Sequence, residues 1–449
     1  MTKLFGTDGV RGVANVAPMD SETMLKLGRA AAVVFRRSEG RHRIVIGKDT
    51  RLSGYLLETA LSSGISSMGV DVLLVGPIPT PGIAFMTRSM RADAGVMISA
   101  SHNSFEDNGV KFFGADGLKL PDEMEAEIEQ LMNPGSVDSF RASPDSIGKA
   151  FRIDDAIGRY TVFLKSCFER TFSLEGKKIV LDCANGAAYR VAPLVFSELG
   201  AELILLGVSP NGRNINEGCG SLHPEKMAEV VKREKAHCGI AFDGDADRVV
   251  FCDELGNIVD GDTLLAICAI DFQETGRLRG NAVVGTVMSN MGLDVALKQK
   301  GITLYRSDVG DRYVVAEMLS KNLVLGGEQS GHILSLDHNT TGDGILSALL
   351  VLHAMSRKNQ RLSDLGSVVK RYPQVLINIA VARRPPIEEV PVLSDAIKKA
   401  EKELSTRGRI LFRYSGTERK ARVMVECDDA LLCNKVAESL AAIVRAELG

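Results

Sequence analysis

The sequence predicts an α/β protein of three similar units closed by a smaller α+β domain, and three observations carry that prediction. A β-α-β segment recurs three times along the 449 residues. Each copy runs on to a further strand that ends in unusual polar text, and from Val375 onward the pattern changes. At the usual domain size of about 150 residues, a chain this long divides into several cores.

The three units open with Arg43-Ile44-Val45-Ile46-Gly47, Lys178-Ile179-Val180-Leu181-Asp182 and Ala282-Val283-Val284-Gly285, each a short apolar strand entering a polar loop. Helical stretches follow and close at Met68-Gly69, Leu199-Gly200 and Lys300-Gly301, where glycine suits the left-handed C-cap. Second strands start at once, over 70–75, 201–206 and 302–305. The third strands end in Ser99-Ala100-Ser101-His102-Asn103, Asp243-Gly244-Asp245-Ala246-Asp247-Arg248 and Gly326-Gly327-Glu328-Gln329-Ser330-Gly331-His332. Ligands of open α/β sheets bind beyond the carboxyl ends of the strands, so the three endings can face one cleft. In the last unit, strands are expected over 375–381, 409–412 and 421–426 and an amphipathic helix over 392–404. Leu432, Val436, Leu440 and Ile443 form one face of a final helix, and Arg383-Arg384-Pro385-Pro386 reads as a loop. The domain limits are set at 1–150, 151–256, 257–370 and 371–449.

Composition narrows the function classes. With 45% hydrophobic and 25% charged residues, disorder, collagen and coiled coil fall away. Absence of tryptophan, 5% aromatics and a balance of 54 basic to 57 acidic residues argue against a nucleic-acid surface, so any anionic ligand is held by local clusters. The eight cysteines never form C-x-x-C and sit mostly in apolar stretches, which points to buried thiols, a reducing compartment and no zinc site. No signal peptide is evident at the N-terminus, and the apolar run 345–355 is too short to span a bilayer, so a cytoplasmic protein without membrane partners is expected.

The motifs carry the chemistry. Asp243, Asp245 and Asp247 alternate with small residues, so in extended backbone their carboxylates point the same way and can converge on one hard cation. A solvated acidic turn is the plain alternative. A calcium loop is a sharper one, because Glu254 falls at the twelfth position, yet Arg248 replaces the glycine required at the sixth. Ser101, beside His102 and Asn103, is either a turn residue or a hydroxyl nucleophile facing an electrophile organised by that cation. Lys111 can assist proton transfer if its pKa is lowered, or be a plain strand-edge lysine. Glu328, Ser330 and His332, among glycines suited to close ligand approach, fit a sugar's vicinal hydroxyls; His332 stands where an ATP loop needs lysine. Arg413-Tyr414-Ser415-Gly416-Thr417, with Arg422 beyond it, makes an anion nest or a solvated basic hairpin. Thr7 to Gly12 is Gly-rich and carries Arg11, a weak signal alone.

Together these motifs resemble the α-D-phosphohexomutase superfamily over essentially the whole chain, in family order. Asn214-Ile215-Asn216-Glu217-Gly218-Cys219-Gly220-Ser221 and Asp308-Val309-Gly310-Asp311-Arg312-Tyr313-Val314 are similar to its glucosamine branch. The resemblance implies three topologically similar α/β domains with mixed sheets plus a C-terminal α+β domain around a central cleft. It implies interconversion of glucosamine 6-phosphate and glucosamine 1-phosphate through a phosphoserine and a 1,6-bisphosphate, feeding UDP-N-acetylglucosamine synthesis. Ser101 would carry the phosphoryl group, and Mg2+ would bind Asp243, Asp245, Asp247 and a phosphate oxygen on Ser101. Arg11 and Lys111 would sit at the reacting phosphate and serve acid/base roles, with His102 a further catalytic residue and Arg248 nearby. Glu328, Ser330 and His332 would hold the sugar, and Arg413, Ser415, Gly416, Thr417 and Arg422 would hold the other phosphate. A phosphoglucomutase or phosphomannomutase, or a metal-dependent sugar phosphatase, are the rival activities, and a homodimer is left open. The chain departs from the family at Ser104, Tyr414 and Arg419, where prolines are usual.

Overall fold

The computed structural model describes residues 4–6, 8–36, 40–415 and 419–449. Four sheets follow one another along the chain. The first three share one core order. In each, the first strand lies between the second and the third, parallel to both, and a fourth strand turns back antiparallel to the third. The hairpins made by the third and fourth strands are Ala94–Ile98 with Asp107–Gly114, Cys238–Phe242 with Val249–Asp253, and Leu325–Gly327 with Ile333–Ser335. The three polar strand endings are therefore the tips of three equivalent hairpins. Such mixed sheets follow from covering both faces with helices: the central strands Arg43–Lys48, Lys178–Asp182 and Ala282–Thr286 are almost continuously apolar and buried.

The first sheet adds Val10–Val13 beside Asp107–Gly114 at one edge and Ala150–Arg152 beside Asp71–Pro77 at the other. The second adds Ile258–Val259. These sheets take in Phe151 and Arg152 beyond the limit drawn at 150, and Ile258 and Val259 beyond the limit at 256. One continuous apolar core runs from Val45 and Ile83 through Phe196 and Phe242 to the buried helix Gly344–Lys358, so the first three units pack as one body. Asp343 caps that helix through the Leu346 amide and also accepts the Tyr160 hydroxyl at 2.6 Å, tying it to the helix Ala156–Ser166.

The fourth sheet, Gln374–Ala380, Lys420–Cys427 and Gly408–Tyr414, is antiparallel and packs on Pro391–Leu404 and Ala430–Leu448 around a core of its own. Its link to the third unit is polar. Asn290 exchanges hydrogen bonds with the backbone of Tyr372 and donates to the buried Glu426 carboxylate. Among the described residues, no helix is long and apolar enough to cross a membrane.

Candidate active site

Ser101 lies at the tip of the first hairpin in a left-handed conformation, φ 52°. Its amide donates to Ser99 Oγ at 2.9 Å, and that hydroxyl donates to Asp49 Oδ2 at 2.6 Å. Asp49 in turn fixes Arg51, whose fully buried guanidinium fans out to the loop carbonyls: Ser101 at 2.8 Å, Asn103 at 2.9 Å, Asp107 at 3.1 Å, and Ser104. Asn216 Nδ2 reaches the Ser101 and Asn103 carbonyls from the second unit, both at 2.9 Å. The loop without proline is thus held by donors, and Ser104 is one of the residues gripped.

The Ser101 hydroxyl donates to Asp243 Oδ2 at 2.6 Å. Asp243, Asp245 and Asp247 each offer an oxygen, all within 4.8 Å of one another, but not from extended backbone. Residues 243–248 form a tight turn in which Ala246 has φ 56°, because the strand must reverse here to start Val249–Asp253. A Cβ on Gly244 would stand 2.4 Å from the Ser101 carbonyl, so glycine lets the two hairpin tips touch. Asp245 is gripped by the first unit: its carbonyl accepts the Thr80 amide at 2.9 Å and its Oδ2 the Thr80 hydroxyl at 2.6 Å.

Lys111 supplies the compensating charge. Nζ lies 3.0 Å from Asp245, 3.2 Å from Asp8 and 3.5 Å from Asp247. Burial works against its charge, but Asp245, Asp8 and Asp247 outweigh it and hold the ammonium well above the usual lysine range. The Asp245 Oδ1 and Asp247 Oδ1 atoms are buried without a hydrogen-bond partner. Two orphaned carboxylate oxygens in a three-carboxylate set fit a hard divalent cation such as Mg2+. Glu254 is spent elsewhere, accepting from Ser363, so the calcium-loop alternative loses its twelfth ligand.

Beyond the triad opens a cavity of about 450 Å3, and Arg11, His102, Asp247, Arg248, Glu328 and His332 line it. His102 Nδ1 lies 3.3 Å from the Ser101 hydroxyl and 3.1 Å from Arg248 Nη1. Burial, then Arg248 and Arg11, push the imidazole down to about 4, so it is neutral near pH 7. His332 Nδ1 faces Asp247 Oδ1 at 3.7 Å. Glu328 Oε1 accepts the Gly310 amide at 3.0 Å, and Ser330 Oγ lies 3.5 Å from Glu328 Oε2, just off the cavity wall. The glycines of this loop serve packing rather than ligand approach: a Cβ on Gly331 would meet the Val249 carbonyl at 2.0 Å, and one on Gly326 the Met318 sulfur at 2.7 Å.

Arg413 and Arg422 face each other in register on the C-terminal hairpin, outside the cavity wall. Burial and then the Arg422 charge pull the Arg413 guanidinium down while Asp308, beside the cavity residue Val309, opposes them. Ser415 is buried, and its carbonyl accepts Arg384 Nη1 at 3.0 Å. Gly416 and Thr417 lie outside the described residues. In place of proline, Tyr414 anchors the hairpin by donating to the Pro385 carbonyl at 2.8 Å.

The motif reading missed Asp49, Arg51 and Thr80, and gave no role to Asp8, Asn216 or Asp311. A signal existed for the first two: Asp49-Thr50-Arg51 directly follows the strand Arg43–Lys48, at the same sheet edge as Ser101.

Models of the phosphoglucomutase/phosphomannomutase family match the chain as its α/β/α domains I, II and III over residues 2–137, 159–256 and 260–372, and as its C-terminal domain over 376–443. The chain belongs to this family. Among curated relatives, the phosphoglucosamine mutase of Citrifermentans bemidjiense is 60% identical over 449 residues, covering 100% of this chain and 99% of its own length. That of Myxococcus xanthus is 55% identical, covering 98% and 96%. Among solved structures, a phosphoglucomutase/phosphomannomutase family protein from Burkholderia thailandensis superposes with a TM-score of 0.80 at 23% identity, covering 99% of this chain and 97% of that one. An Aspergillus fumigatus N-acetylphosphoglucosamine mutase gives 0.69 at 17%, covering 99% and 96%. These two likenesses speak for the fold.

Proposed function

We propose that the chain is a phosphoglucosamine mutase, an isomerase interconverting glucosamine 6-phosphate and glucosamine 1-phosphate in the cytoplasm. The observation that carries the reading is Ser101: its hydroxyl lies 2.6 Å from Asp243 at the junction of a three-carboxylate cluster and a polar cavity. The full-length relatives bearing that activity in their names, at 55–60% identity, support it.

In this reading phospho-Ser101 gives its phosphoryl group to O1 of glucosamine 6-phosphate. The 1,6-bisphosphate turns in the cleft and its 6-phosphoryl group returns to Ser101. Asp243, Asp245 and Asp247 would hold Mg2+, which when bound neutralises charge on the phosphoryl oxygens. Arg51 and Asn216 keep the Ser101 loop in place, so the nucleophile needs no reorganisation. Arg11 and Arg248 act as fixed cations. Lys111 adds positive charge beside Asp245 and passes the O1 proton to the Ser101 oxygen that the phosphoryl group leaves. His102, neutral and bonded to Arg248, orients that guanidinium toward the cavity. Glu328, Ser330 and His332 receive sugar hydroxyls. Arg413, Ser415, Gly416, Thr417 and Arg422 take the phosphate that is not being transferred, in either orientation of the bisphosphate.

The test supplies glucosamine 6-phosphate, Mg2+ and a trace of hexose 1,6-bisphosphate, and follows glucosamine 1-phosphate and inorganic phosphate. Isomerisation without net phosphate release is expected, with phosphate mapped to Ser101 by mass spectrometry and no turnover in Ser101→Ala. Stoichiometric phosphate release would make the chain a phosphatase, and substantial activity in Ser101→Ala would remove the phosphoserine.

A further inference from the structure

Glucosamine differs from glucose at C2 alone, where an ammonium replaces a hydroxyl. A site that prefers the amino sugar needs, beside the sugar, a carboxylate with an acceptor lone pair still open. On the cavity wall, the four carboxylates of Asp8, Asp247, Asp311 and Glu328 face the three permanent cations Arg11, Lys119 and Arg248. Asp247 belongs to the cation cluster. Asp8 is enclosed by Arg11, Lys111 and Lys119. Glu328, beside Ser330, serves hydroxyls in the reading above.

Asp311 remains. It opens the helix Asp311–Ser320, and the preceding residue, Gly310, donates its amide to Glu328, so one stretch of backbone ties the two carboxylates together. Oδ1 accepts the Arg312 amide at 2.9 Å and Lys119 Nζ at 2.8 Å. Oδ2 meets the same Lys119 ammonium at 2.6 Å. A carboxylate has about four lone-pair sites, so Oδ2 keeps one open. Across from it, 3.6 Å away, is His332 Nε2, a ring nitrogen that is 3% exposed, lines the same cavity and has no hydrogen-bond partner. The gap is too long for a direct hydrogen bond. An acceptor beside a ring nitrogen matches two vicinal substituents of a pyranose, an ammonium and a neighbouring hydroxyl that can bond the imidazole in either tautomer.

We propose that Asp311 is the specificity-determining residue for the amino sugar, its carboxylate receiving the C2 ammonium while His332 Nε2 bonds the adjacent hydroxyl. The inference rests on the mutase reading of the same site.

The test is Asp311→Asn in the full chain with Mg2+, with kcat/KM measured on glucosamine 6-phosphate and glucose 6-phosphate. The ratio of the two is expected to fall about 10- to 100-fold, through loss on the amino sugar, because an ion-paired acceptor is exchanged for a neutral amide. Equal losses on both substrates would assign Asp311 to holding Lys119 and overturn the inference, as would an unchanged ratio. Asp311→Glu keeps the charge that Lys119 pairs with and serves if the first variant does not fold. A smaller drop in the same ratio is expected there, and no drop overturns the inference. A wild-type chain that isomerises glucose 6-phosphate but not glucosamine 6-phosphate would sink the functional reading itself, a result distinct from any change of ratio.

Discussion

Replacing Arg51 with Met tests the serine loop most directly, since it keeps the length of the side chain and removes every donor. The variant leaves the fully buried Asp49 carboxylate without its guanidinium, and four loop carbonyls lose a bond. The carbonyls matter less: those of Ser101 and Asn103 keep Asn216, and the others lie partly at the surface. The orphaned Asp49 dominates, and breaking a buried ion pair costs about 3–5 kcal/mol. A chain of four units does not unfold in one step, so the cost is best read locally. Hydrogen exchange at Ser101, Asn103 and Asp107, whose amides are bonded within the loop, should accelerate about a hundredfold to several thousandfold. Turnover should fall about 100-fold, the usual penalty for a nucleophile misplaced by an ångström. Adding Asp49→Asn removes the unpaired charge, so the double variant should recover at least about 2 kcal/mol of the local loss. Wild-type exchange rates in Arg51→Met, or losses that simply add in the double variant, would refute the clamp.

Two further perturbations follow from packing and burial. Gly244→Ala puts a Cβ 2.4 Å from the Ser101 carbonyl and 2.8 Å from Asn216 Nδ2, so the two hairpin tips must part. About 1–3 kcal/mol of stability and about 100-fold in kcat should be lost, and a variant with wild-type kcat would show that contact between the tips is dispensable. Asp262 is buried, with Oδ2 accepting the Asn290 amide, and burial pushes its carboxyl up to about 7. A carboxyl raised in the folded state stabilises fully below its unfolded value of 3.8 and loses that contribution as pH rises through about 7. Between pH 5 and 8 the wild type should therefore lose about 3 kcal/mol relative to Asp262→Asn, read as a widening gap in hydrogen-exchange protection at the Asn290 amide, and a constant gap would refute the assignment.

These perturbations divide between what the sequence displays and what it hides. The carboxylate triad and the three repeated units were legible because their residues are contiguous: a run of Asp-Gly-Asp-Ala-Asp at a strand end needs no partner to be noticed. The conformation of that run was not. Alternation suggested extended backbone, whereas the return strand Val249–Asp253 forces a turn through Ala246, and the reversal is set by tertiary pairing rather than by the residues themselves. The Arg51 clamp was harder still. It spans about fifty positions and ends on carbonyl oxygens, which every residue possesses, so only the arginine end of each bond leaves any trace in the sequence. The same reasoning accounts for Ser104. A proline there would stiffen the loop through its own ring. Arg51 holds the Ser104 carbonyl instead, and a donor arriving from the loop after the strand Arg43–Lys48 does this for any side chain at that position. Asp311 is the intermediate case, a carboxylate visible in a branch-like stretch whose meaning depends on Lys119 and on Glu328 and His332 of one loop, brought to it by two separate parts of the chain. Asp8 is the contrast that makes the point: it lines the same cavity, yet three cations close around it, and that enclosure is a property of the fold alone.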